Sequence, residues 1–212
     1  MACARTQPNF GPIYSKHATV VAMARPKEFD EHRAVDAAMR AFWSAGYEAT
    51  STQDLCTATG LGRSSIYNTF TSKRDLFERA LRHYITMKNT PLFDLLDSDA
   101  PARERISAVL HRAADAPDTE PTGCLVVNSI VELAPHDADI KATLRADQER
   151  RLDALTATIV SGQRAGEFAC DGDPRAIAEF LTATISGIRV AARGGADHAT
   201  LTSIADTAMR CL

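Results

Sequence analysis

The stretch "GLGRSSIYNTF", residues 60–70, decides how this chain is read. Two glycines, Gly60 and Gly62, precede a run in which only Ile66 and Phe70, four apart, are plainly core material. At about 100° per residue, a helix that points Ile66 inward places Ser64 and Asn68 almost opposite, with Ser65 and Tyr67 flanking them. Such a helix buries too little to support a core. Its polar face has to be what it is for.

Working outward, "STQDLCTATG" opens on a capping pair, Ser51 and Asp54 three residues on, and ends at Gly60, which predicts a helix barely two turns long. Two short helices joined by "TGLG" make a helix-turn-helix, whose second member offers its outer face to the DNA major groove. The side chains suit that task. Ser64, Ser65 and Asn68 can hydrogen-bond base edges, Arg63 can reach guanine or a phosphate, the Tyr67 hydroxyl suits a phosphate oxygen, and Thr69 is also left for DNA. No acidic residue interrupts 60–74. Lys73, at the start of the following helix, reads as a phosphate clamp, and Thr52 and Gln53 are placed for the same task across the groove.

The rest of the chain is helical in pattern, with frequent alanine, little β-branched alternation and apolar residues recurring at three and four. The expected fold is all-α. A helix from an Asp30 cap to Gly46 turns Val35, Ala38, Met39, Phe42 and Ala45 to one side, with Trp43 also in the core. A long helix follows from the Ser72/Asp75 cap, bending near Pro91. Further helices are expected from 99 to about 114, from 123 up to Pro135, from 137 to 164, from 173 (an Asp173-Pro174 start) to 193, and from 198 to 211. Residues 1–24 read as a disordered extension in which Met23 is a second candidate start, and Arg5, Lys16, Arg25 and Lys27 a candidate basic arm on DNA. Residues 25–72 then form the three-helix DNA-binding domain and 73–212 a helical regulatory and dimerisation domain, linked by the helix from 72.

Composition narrows the function. The net charge of -3 is uneven: residues 1–90 hold 12 Lys and Arg against 8 Asp and Glu, and residues 91–212 hold 12 against 19. A basic first part on an acidic remainder points to a polyanion as the first part's partner. No apolar run approaches the roughly 20 residues that span a bilayer, so no membrane contact is expected and the chain reads as cytoplasmic. The five cysteines are scattered without CxxC spacing, which disfavours a disulfide framework or a zinc site.

The run "AFWSAGYEATSTQDLCTATGLGRSSIYNTFTSKRDLFERAL" resembles the DNA-binding domain of the TetR family of one-component regulators. The family's motif positions are met by Gly46, Tyr47, Thr50 and Ser51, then Gly60, Ile66, Tyr67, Phe70, Ser72, Lys73 and Leu76. Gly62 departs from it, because relatives often carry a capping Ser there. The resemblance implies a repressor that binds a palindromic operator in double-stranded DNA as a homodimer, with an unknown small-molecule inducer held in a carboxy-terminal cavity. It implies dimerisation through the helices 173–193 and 198–211. Composition alone points the same way: Ala178, Leu181, Ile185, Ile188, Leu201, Ile204, Ala205 and Ala208 would pack against their symmetry mates.

In "GCLVVNSIVELA", Cys124, Asn128 and Glu132 fall four apart and draw a polar stripe down an oily helix, a candidate ligand or sensor surface. Cys124 sits at the helix's amino-terminal end, where the dipole can activate a thiol. In some relatives the cysteine of a similar "GCL" senses oxidants or electrophiles, so a thiol-based sensor is the alternative regulator. His136, Asp137 and Asp139 are better explained as turn and cap than as metal ligands. No metal or cofactor is expected, and with no GxSxG, HExxH or GxxxxGK[ST] and no evident His partner for Cys124, no enzyme.

Overall fold

Of the residues predicted to face inward on the first helix, Val35, Ala38, Met39 and Phe42, with Trp43, are buried along one side of α1 (Glu31–Ala45), whereas Ala45 is exposed at the helix's last turn. The computed structural model describes residues 31–115, 117 and 119–212. The extension expected at 1–24 with Met23, the candidate basic arm of Arg5, Lys16, Arg25 and Lys27, and the Asp30 cap lie outside these. Among the described residues there are nine α-helices and no strand.

Ser51 caps α2 (Thr52–Thr59) in a complete capping box with Asp54, and Gly60 closes it in the left-handed conformation at φ 69°. α3 (Arg63–Thr69) follows from Gly62 without a side-chain cap. Ser72 caps α4 (Lys73–Leu96) by accepting the Asp75 N–H. α1 and α4 meet through aromatic rings, Phe42 edge-on to Phe77 at 5.1 Å and Trp43 to Tyr84 at 4.8 Å. Helical structure in α4 continues unbroken through Pro91 to Leu96.

Beyond α4, α5 (Ala102–Ala114), α7 (Ala138–Arg164), α8 (Pro174–Arg193) and α9 (His198–Arg210) enclose a second core that includes Ile106, Leu110, Leu155, Ile159, Leu181 and Ile188. Asp173 and Asp137 cap α8 and α7 as the sequence predicts, each accepting two backbone N–H groups. The short α6 (Leu125–Glu132) lies between. It ends three residues before Pro135, because residues 133–136 turn instead.

One expectation is corrected at residue level. Ala178, Leu181, Ile188, Leu201, Ala205 and Ala208 are buried within the chain itself, and Ile185 and Ile204 pack against the same core. Their spacing identified an apolar face correctly, but α5 and α7 of the same chain cover it. What α8 leaves exposed is a different stripe, Ala176, Phe180, Ala183, Gly187 and Val190.

Candidate nucleic-acid interface and adjoining cavity

Ile66 and Phe70, 1% and 0% exposed, are the buried anchors of the α3 segment. Each is worth about 1.5–3 kcal/mol. Ordering the backbone of seven residues costs roughly 1–2 kcal/mol apiece, so α3 is held in shape by packing against the rest of the chain, α2 included, rather than by its own contacts. This frees its remaining side chains. Arg63, Ser64, Ser65, Tyr67 and Asn68 are all exposed, while Thr69 is half-buried.

The Tyr67 hydroxyl lies 3.1 Å from Thr52 Oγ1, which ties the amino-terminal end of α2 to the outer face of α3. The Arg63 guanidinium lies over the Tyr67 ring at 5.8 Å. Gln53 is exposed beside Thr52. Lys73 is half-buried and its ammonium stands 4.4 Å over the Tyr47 ring, a placement that holds a cation near α3 without neutralising it. Chemically, the side chains of this surface offer hydroxyls, two amides and two cations, which suits a phosphate backbone and groove edges.

Behind that surface the helix-turn-helix is gripped by α6, α8 and the amino-terminal end of α7. Glu132, the last residue of α6, accepts the backbone N–H groups of Tyr47 and Glu48 at 3.0 and 2.7 Å. Asn128, one turn earlier, directs its amide to the Trp43 carbonyl at 3.5 Å. From α8, Arg193 donates to the carbonyls of Trp43 and Ser44 at 3.2 and 3.0 Å. Thus the free carbonyl end of α1 and the N–H groups after it are both satisfied by side chains about 85 to 150 residues away. Arg74 of α4 forms a bidentate pair with Asp137 at 2.9 and 3.0 Å, reaches Asp139 at 3.1 Å and pairs with Glu78. The Arg74 guanidinium holds the Asp137 carboxyl down at about 2.

The polar stripe read from the sequence is therefore divided. Asn128 and Glu132 face the end of α1 and the turn after it, and of the three only Cys124 lines the cavity of about 420 Å³ between α4 and α8. Cys124 is the N-cap of α6, half-buried, with its Sγ accepting from the Tyr84 hydroxyl at 3.4 Å. Burial pushes the Tyr84 phenol well above its usual range, so it stays a donor. The cavity walls are Ile85, Leu92, Val109, Val126, Val127 and Ile185, with a buried polar pair, Asn89 and Asp147, in the lining. Sequence spacing did not single out that pair, nor Glu132 and Arg193 as clamps. The only local signal is a polar residue on an otherwise buried helix face.

The sequence matches the family model described as "Bacterial regulatory proteins, tetR family" over residues 34–80. It matches a second, "Tetracyclin repressor-like, C-terminal domain", over residues 102–208. It is 36% identical over 190 residues to the HTH-type transcriptional repressor ComR of Escherichia coli K12, covering 88% of this chain and 90% of that one. With the HTH-type transcriptional regulator YezE of Bacillus subtilis 168 it shares 30% over 193 residues, 90% of this chain and 100% of the other. Among solved structures it is similar to a cysteine-substituted form of the TetR family regulator CifR complexed with a 26-base-pair operator, with a TM-score of 0.78 at 29% identity over 88% of this chain and 98% of that one. The two matched regions cover both the helix-turn-helix and the helices around the cavity, and the relatives are matched over nine tenths or more of their own length: the chain belongs to the TetR family of DNA-binding transcriptional regulators.

Proposed function

We propose that the protein is a homodimeric repressor of a palindromic operator, released when a small molecule occupies the cavity of the regulatory domain. Residues 25–72 are its DNA-binding domain and 73–212 its regulatory and dimerisation domain, working in the cytoplasm. The observation that carries this reading is the division of labour in α3, where buried Ile66 and the Phe70 that follows anchor a helix whose other side chains face outward. In this reading Ser64, Ser65, Asn68 and Thr69 read bases in the major groove, and Arg63 contacts guanine or phosphate. Thr52, Gln53, Tyr67 and Lys73 position the helix on the backbone. Relatives named as repressors support the sign of regulation.

Release follows from the grip on the helix-turn-helix. Two recognition helices must match half-sites about 34–36 Å apart, or a multiple of it. An occupant that displaces α6 or α4 changes that separation through Glu132 and the helix carrying Lys73. To switch nearly fully it must prefer the released state by about 5.5 kcal/mol. The test begins with sequences selected by the protein from random DNA and measures affinity for them. Tyr67→Phe and Lys73→Ala should weaken binding with little change in base preference, while Asn68→Ala should alter the preference. Unchanged binding in all three variants would remove α3 from the DNA interface.

A second reading is favoured by Cys124, whose sulfur lines the cavity beside the Tyr84 hydroxyl. Here the Cys124 thiol itself is the sensor: peroxide transfers an oxygen to its sulfur, turning the thiol into a sulfenic acid with loss of water, or a quinone adds to it. Gel shifts of the wild type and Cys124→Ser with peroxide or benzoquinone separate the two readings. Release of the wild type alone supports the thiol, whereas release of both proteins or of neither rejects it.

A further inference from the structure

The cavity is lined by a carboxyl group whose bonding is incomplete. Asp147 of α7 is 4% exposed, and its Oδ1 accepts the Asn89 side-chain amide at 2.5 Å. Its Oδ2 has only one cation within ion-pair range among the described residues, Arg151 at 4.0 Å, beyond hydrogen-bond reach. The other two lining carboxyls are served better, Glu120 by Lys88 at 2.5 Å and Asp115 by His198 at 2.6 Å. Two of the lining cations are also engaged, Arg112 with the Pro91 carbonyl and Arg189 with the Arg112 carbonyl, both at 2.9 Å. Buried carboxylates that lack donors are costly, and a carboxylate offers about four acceptor sites.

We propose that the cavity takes a protonated primary or secondary amine carried on an apolar body, with its ammonium hydrogen-bonded to Asp147 Oδ2. An ammonium supplies both the missing donor and the charge that Arg151 supplies only at a distance. The body lies against Ile85, Leu92, Val109, Val126, Val127 and Ile185, and a volume of about 420 Å³ admits a molecule of one ring with a short chain. Neutral isosteres satisfy the hydrogen bond but leave the charge uncompensated, and anions oppose it.

The inference rests on the regulator reading for its consequence, release of DNA, but the binding itself can be measured separately. Calorimetric titration of the full-length protein at neutral pH compares 3-phenylpropylamine, 3-phenylpropanol and 3-phenylpropanoate, which share one apolar body. The amine should bind roughly tenfold or more tightly than either of the others. Asp147→Asn, which keeps the volume and one acceptor, should erase the preference. Because that variant removes a buried group and can fail to fold, Arg151→Gln is the second arm: freeing Asp147 of its distant partner should tighten the amine several-fold. Alcohol or carboxylate binding as tight as the amine's, a preference that survives Asp147→Asn in a folded protein, or no binding of any probe overturns the proposal. Failure of the unliganded protein to select any DNA sequence would instead overturn the regulator reading and leave the amine result standing.

Discussion

Two glycines of the helix-turn-helix, separated by one residue, are held by different physics and should respond oppositely to substitution. Gly60 ends α2 at φ 69°, where an L side chain costs roughly 1–2 kcal/mol. Gly62 begins α3 at φ −71° and ψ 155°, ordinary extended backbone, and a Cβ there would meet nothing within 4 Å. Its departure from the family pattern leaves α3 without a side-chain cap. Gly62→Ser should therefore stabilise the protein by a few tenths of a kcal/mol, and Gly60→Ala should destabilise it by about 1–2 kcal/mol. Paired thermal melts check both signs at once, and a stabilising Gly60→Ala would disprove the left-handed cap. These positions were legible from residue types alone, because caps and turns are local chemistry.

At the scale of elements, legibility falls where distant segments meet. Helix order, the Ser51, Ser72, Asp137 and Asp173 caps and the inward face of α1 up to Phe42 follow from spacing. The identity of the covering element does not, since a periodicity marks a face without naming its partner. That is why the apolar positions of α8 and α9 read as a dimer surface, and why the stripe of Cys124, Asn128 and Glu132 read as one site. The amino-terminal end of α5 shows the same limit: Pro101 provides no cap, and the Arg103 N–H is met by Glu167 at 2.8 Å. Two element-level ties can be tested. Glu132→Gln turns one of two acceptors into a donor facing an N–H, so it should cost about 1–3 kcal/mol, several degrees in melting temperature. An unchanged melt would show that the tie carries no stability. The second is Asp137 with Arg74. Its carboxyl lies at about 2 in the folded protein against 3.8 when free, so the tie favours folding above pH 4 and is lost as pH falls towards 2. Asp137→Asn should accordingly lower the melting temperature at pH 7, and the gap from wild type should close by about pH 2. A gap that is constant with pH would assign the effect to the lost α7 cap rather than to the charge.

At the scale of the whole molecule, recognition of a palindrome requires two copies. The stripe Ala176, Phe180, Ala183, Gly187 and Val190 is the face of α8 that the chain leaves uncovered, and Phe180 and Val190 are 44% and 56% exposed. Small residues on either side of one large ring allow two such helices to approach closely, which suits an isologous contact. This stripe, rather than the buried positions, is where dimerisation through α8 and α9 would occur. Phe180→Glu places a charge beside its own symmetry mate, so the protein should sediment as a monomer. Because Phe180 lies outside the core of the single chain, the melt of the monomer should show an intact core. Linking two half-site contacts raises affinity by about 10²–10⁴ over one alone, so affinity for a two-half-site operator should fall by a factor of that order. Affinity for a single half-site should stay as it was, since α3 is 110 or more residues from the change in sequence and belongs to the other core. A monomer that kept full operator affinity would mean that each chain reads its site alone, and a variant that remained dimeric would place the interface elsewhere on the surface.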